Sequence, residues 1–136
     1  MKIFISHARK DSDLALKLAD RLKRSGFAVL RPETEMAPDE LGSAPQYSEF
    51  MIFLLTPGAL EADTLRKDIE YALGSKKYDG RVFSVFVGPT IAAGKDMPWI
   101  LLKLPWRQVE SAKDFGEVAH AIENECAKSE KSSSNA

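Results

Sequence analysis

The chain has 136 residues, 44% hydrophobic and 29% charged, which is the length of one domain and the composition of an ordinary globular one. A disordered or collagen-like chain is excluded. Lys and Arg total 19 against 20 Asp and Glu, a net charge of −1, so no global field argues for nucleic acid, a membrane surface or an acidic partner, while near-neutrality favours self-association.

Residues 2–5, Lys-Ile-Phe-Ile, read as a first strand. This apolar stretch is far too short for a signal-peptide core, and the longest apolar run, residues 50–55, is far below the ~20 residues of a membrane span. The single cysteine, Cys126, cannot form an internal disulfide, so nothing points to an oxidising compartment. The expected location is the cytoplasm. Asp11 or Ser12 suits the cap of a first helix, with Leu14, Ala15, Leu18, Ala19 and Leu22 on one face. Gly26 suits the residue just past its end. Residues 27–30 make a second short strand.

From 31 to 49 the periodicity fails, because Pro32, Pro38, Gly42 and Pro45 break any long helix. A loop this long in a compact domain is more often functional than filler. Residues 50–55 are continuously apolar, as in a central strand buried on both faces, and Thr56-Pro57-Gly58 ends it. Asp63 caps a helix running from Thr64 to about Ser75, with Leu65, Ile69, Ala72 and Leu73 as its buried stripe. Asp79-Gly80 turns into a strand over 81–87, closed by Gly88-Pro89. Residues 91–102 hold an irregular helical stretch around Met97-Pro98-Trp99. Residues 104–109 suit an edge strand, where Pro105 is tolerated. Ser111 opens a last helix through Lys128, with Phe115, Val118, Ala119, Ile122 and Cys126 on one side. Residues 129–136 lack any large apolar residue and read as a disordered tail, leaving a domain over 1–128.

Strands alternating with helices imply a parallel sheet covered on both faces, with sites outside the carboxyl ends of the strands. Those ends carry Ser6 to Lys10, the loop opened by Arg31, residues 56–62, and Gly88 onward. The first turn, Ser6-His7-Ala8-Arg9-Lys10-Asp11, has neither a dinucleotide glycine pattern nor a P-loop. Ser6-His7 and Thr56-Pro57 stand where a phosphorylatable receiver would need acidic residues. His7, His120 and Cys126 are not at metal-ligand spacing. Ser6 and Asp11 also suit turn and cap hydrogen bonds. His120, Trp99 and Trp106 read as surface or packing residues.

At this turn the sequence resembles a Toll/interleukin-1 receptor (TIR) domain of bacterial type. The resemblance is carried by Ile3-Phe4-Ile5-Ser6-His7-Ala8 and Asp11, then Ala15, Leu18, Leu22, Gly26 and Val29. It continues through Phe53-Leu54-Leu55-Thr56-Pro57-Gly58-Ala59-Leu60, then Ile69, Ala72-Leu73, Val85 and Val87. The opening motif with its helix is fairly specific; the later blocks are degenerate. The resemblance implies a flavodoxin-like three-layer sandwich with a five-stranded parallel sheet in the order 2-1-3-4-5. It also implies partners of the same kind, another copy or another TIR domain, and in some members hydrolysis of NAD+ at the nicotinamide–ribose bond. NAD+ would then be substrate, and no resident cofactor or metal is implied.

That cleavage passes through an oxocarbenium-like sugar, which a carboxylate beside the ribose stabilises. In active members it is a Glu four residues before an Ala-Leu pair, and the position here is Asp68. Asp is one methylene shorter, a displacement of roughly 1 Å, which can cost on the order of a hundredfold in rate. The family's Ser-x-Trp upstream is replaced by Ala62-Asp63-Thr64. Glu70 is the fallback carboxylate, but it lies about 200° around the helix from Asp68, which itself falls roughly 85° from the centre of the apolar stripe. Asp68 also suits a solvated helix flank near an N-terminus. Ser6, His7, Arg9 and Arg31 are the candidate substrate-binding residues, with Arg9 suited to a pyrophosphate and Ser6 or His7 to a ribose hydroxyl. A second departure is that residues 31–49 must hold both a loop and the family's second helix, so that helix is expected to be short or absent.

Charge is segregated along the chain. Residues 9–24 carry Lys17, Arg21 and Arg24 among six cations against three acids, whereas residues 31–49 carry Glu33, Glu35, Asp39, Glu40 and Glu49 against Arg31 alone. Two such surfaces on one domain allow head-to-tail association; solvated faces are the alternative. Three function classes remain: an assembling signalling or defence module with weak or lost catalysis, an NAD+ glycohydrolase using Asp68, and another flavodoxin-like nucleoside-processing enzyme.

Overall fold

The computed structural model describes residues 2–30, 49–59, 63–78, 80–88, 101 and 103–134. Its strands are β1 (Lys2–His7), β2 (Ala28–Leu30), β3 (Phe50–Leu55), β4 (Val82–Val87) and β5 (Trp106–Val109). Its helices, among the described residues, are α1 (Ser12–Arg24), α2 (Asp63–Leu73) and α3 (Phe115–Ser134). All strand pairings are parallel, in the order β2-β1-β3-β4-β5. This is the flavodoxin-like arrangement, whose strand order reverses beside β1. None of the described helices is long and apolar enough to cross a membrane.

Side-chain alternation sorts the core into two halves. Ile3, Ile5, Ile52, Leu54 and Val85 face one side, where Leu18 and Leu22 of α1 meet Val118 and Ile122 of α3. Phe4, Met51, Phe53, Leu55 and Phe86 face the other, against Leu65, Ile69 and Ala72 of α2. β3 and β4 are buried along their whole length, which is why residues 50–55 read as unbroken apolar sequence. Trp106 packs edge-on to Phe86 at 5.9 Å, on the second face.

Local signals set most element ends. α1 closes with Gly26 at φ 98°; Gly26 N–H donates to the Lys23 carbonyl at 3.0 Å and Phe27 N–H to that of Leu22 at 3.1 Å, a Schellman closure. Ser111 accepts from the Lys113 N–H and opens a 3-10 turn that leads into α3.

Several expectations need correction. β1 runs on through Ser6 and His7, opposite Phe53 and Leu54, because pairing with a long central strand overrides their polarity. Asp11 precedes α1 without making a side-chain cap bond; its carboxylate is taken up by Thr56. Leu73 is 39% exposed, since α2 ends there and Tyr78 of the following 3-10 turn fills the core instead. The last helix continues to Ser134, past its expected end at Lys128, because extending a formed helix costs little per residue. The curtailed second helix, the irregular stretch around Trp99, and Arg31, Glu33, Glu35, Asp39 and Glu40 lie outside the described residues.

Candidate functional site

Ser6 occupies the last turn of the pleat on β1, on the same face as Phe4. α2 lies over that face. On α2, Asp68 is one helical turn from both Leu65 and Ala72, which puts it at the edge of the buried stripe. The two meet: the Ser6 hydroxyl donates to Asp68 Oδ2 at 2.7 Å, across 62 residues of sequence. Ser6 is only 1% exposed, and Asp68 is half-buried.

Burial pushes the Asp68 carboxyl above its ordinary carboxylate range, while the Ser6 hydrogen bond and the nearby His7 pull it back. The carboxylate is thus partly stripped of water yet held by one fixed donor, at the carboxyl end of β1 beside β3. Open parallel sheets place ligands at such a strand-order reversal. His7 follows on β1, half-buried, with Nδ1 donating to the Ala8 carbonyl at 2.8 Å, which leaves Nε2 as the ring's other polar atom.

Glu70 is exposed; two positions on, it points elsewhere on α2 and does not join Ser6. Arg9 is exposed in the 3-10 turn Arg9–Asp11, at the same sheet end. Of the substrate-binding candidates, Ser6 and His7 are therefore gathered around Asp68, and Arg31 lies outside the described residues. His120 is on the surface of α3 beside Glu123 at 3.7 Å.

A second polar cluster at this sheet end was not anticipated. Thr56, just past β3, donates from Oγ1 to Asp11 Oδ2 at 2.7 Å. Lys10 Nζ donates to the same Oγ1 at 2.7 Å and to the Pro57 carbonyl at 2.9 Å. Asp11 is 6% and Thr56 8% exposed. The cluster ties the β1–α1 turn to the end of β3 and so fixes the rim beside Ser6 and His7. The available signal was polar residues at the carboxyl ends of two strands that a 2-1-3 order makes neighbours.

On α1, Lys17, Arg21 and Arg24 border a groove of about 380 Å³ against Lys113 and the start of α3. The described residues contain no cluster of three metal-ligating side chains.

A family model described as "TIR domain" matches residues 3–119. No curated protein matches the chain. Among solved structures, the chain is similar to a metazoan TIR-STING receptor from C. gigas, in complex with 2′,3′-cGAMP. The TM-score is 0.71 and the identity 19%, over 88% of this chain and 38% of that one, so the chain spans well under half of the receptor's length. It is also similar to the SEFIR domain of IL-17 receptor B, with a TM-score of 0.58 and 16% identity over 90% of this chain and 96% of that one. At these identities the likeness is one of fold.

Proposed function

The chain belongs to the TIR-domain family, and from that premise we propose that it is a signalling or defence domain that assembles with copies of itself and cleaves NAD+ at the nicotinamide–ribose bond, with Asp68 as the carboxylate. The observation that carries this reading is the Ser6–Asp68 hydrogen bond of 2.7 Å at the carboxyl end of β1. An ordinary solvated helix-flank aspartate has neither that burial nor that fixed donor.

As the glycosidic bond breaks, nicotinamide leaves with the bonding electrons and C1′ becomes electron-poor. A carboxylate beside the ribose stabilises that charge and accepts hydrogen bonds from the ribose hydroxyls. Water then adds to C1′ and loses a proton. Ser6 holds the Asp68 rotamer, and partial burial strengthens the carboxylate's field at the sugar. His7 Nε2 and Arg9 are suited to ribose hydroxyls and a pyrophosphate. The shorter Asp side chain predicts slow turnover.

The test is nicotinamide release from NAD+ in dilute and in crowded solution. Wild-type release that is lost in Asp68→Ala supports the reading. No release under assembling conditions overturns the enzymatic half, and release that survives Asp68→Ala overturns the assignment of the carboxylate. Nucleosides run in parallel distinguish a nucleoside-processing enzyme.

A further inference from the structure

Helices α1 and α3 pack on the face of the sheet opposite to the one α2 covers, so the groove between them is remote from the Ser6–Asp68 pair. It encloses about 380 Å³ and gathers Lys17, Arg21, Arg24 and Lys113 around Asp20. Four cations against one carboxylate leave three net positive charges. Among the described residues, none of the four makes an ion pair. Elsewhere the surface pairs its charges locally, as Arg66 does with Asp63 and Lys128 with Glu125. Lys17, Arg21 and Arg24 follow one another at steps of four and three residues along α1, a spacing at which like charges face and repel each other. The row is a cost to the helix that an anion in the groove would relieve.

One of these cations is also seated against the fold. The Arg21 guanidinium lies across Gly116 so closely that a Cβ there would stand 2.8 Å from Nη2 and 3.3 Å from Cζ. The first turn of α3 admits a guanidinium in this position because residue 116 has no side chain. Guanidinium forks match phosphate oxygens two at a time, and Arg24 supplies a second fork one turn along α1. A phosphate group carries about −1.5 to −2 at neutral pH, so two of them offset the groove's charge. Its volume falls in the roughly 300–1,000 Å³ range of small-ligand sites. We propose that the α1–α3 groove binds a small anion bearing two neighbouring phosphate groups, carried on a nucleotide or on a lipid headgroup. The site is separate from Ser6–Asp68 and does not depend on the NAD+ reading.

Calorimetric titration of the full chain with pyrophosphate in low salt tests it. Saturable binding at the groove is expected, with an affinity that falls as salt rises. Arg21→Ala and Arg24→Ala, both at exposed positions, should each weaken it on the order of tenfold or more. Gly116→Ala keeps every charge and favours the helix, yet it displaces the Arg21 guanidinium and should weaken binding several-fold. Citrate, whose charges sit on carboxylates, should bind more weakly than pyrophosphate. Arg9→Ala, at the carboxyl end of the sheet, should leave binding at the groove unchanged. Thermal melts check that each variant folds. ADP that binds as tightly as pyrophosphate supports a nucleotide as the carrier. Recruitment to phosphatidylcholine vesicles only when they contain phosphatidylinositol bisphosphate supports a lipid headgroup. Three results overturn the site: no binding of pyrophosphate, wild-type affinity in Gly116→Ala, or a loss in Arg9→Ala without one in Arg21→Ala.

Discussion

At the residue scale, the proposed chemistry rests on Asp68, whose carboxyl is bonded by Ser6 and raised by burial. Its position was legible from the count back from Ala72-Leu73, and its place at the stripe edge followed from helical period. Its donor was not legible, because Ser6 is 62 residues away and a Ser-His pair after an apolar strand reads as a turn. Burial raises the carboxyl, so NAD+ cleavage should fall off with acidification at a higher pH than an ordinary aspartate would give. Ser6→Ala removes a bond that lowers the same group, so it should move the acid limb of the pH–rate profile further up. A limb that stays in place would mean that Ser6 only packs. The stability consequence has the opposite sign. A carboxyl raised in the folded state binds its proton more tightly than in the unfolded chain, so folding is penalised above the unfolded value and relieved as pH falls through the folded one. Asp68→Asn keeps an acceptor for Ser6 and has no charge to bury. Its melting temperature should exceed wild type at neutral pH and converge with it in acid, while its cleavage rate drops by on the order of a hundredfold or more.

At the element scale, the helix faces were readable because a period of 3.6 leaves few alternatives: Ala15, Leu18, Ala19 and Leu22 are buried as a set. Strand ends were less readable, since β1 is extended by pairing with β3 rather than by its own composition. The Thr56 clamp was invisible for the same reason: it joins two loops that only the sheet order brings together. Thr56→Val should cost about 1–3 kcal/mol, since it leaves the buried Asp11 carboxylate without its donor. Thr56→Ser should recover most of that loss, and urea denaturation reads both. A Cβ added to Gly26, which sits at φ 98°, would meet no atom within 4 Å, so Gly26→Ala should cost only the left-handed backbone penalty, about 1 kcal/mol. A larger loss would point to packing there.

At the scale of the whole molecule, strand–helix alternation was enough to anticipate a parallel sheet, and the motif around Ser6-His7 supplied its strand order. The net charge of −1 concealed a basic groove facing outward from α1 and α3 and an acidic segment elsewhere in the chain. Lys113 and Gly116 complete that groove, and neither was legible, because nothing in a sequence says that the start of one helix packs beside the middle of another. One sheet end carries the Ser6–Asp68 pair, and the helical face formed by α1 and α3 carries the basic groove. The most direct measurement is nicotinamide release from saturating NAD+ in low salt by wild type, Asp68→Asn and Asp68→Glu at matched concentration. Wild type is expected to release it slowly, Asp68→Asn on the order of a hundredfold more slowly or worse, and Asp68→Glu faster, by up to about a hundredfold as the carboxylate regains its reach. Equal rates in all three, or none in any, would contradict a catalytic Asp68.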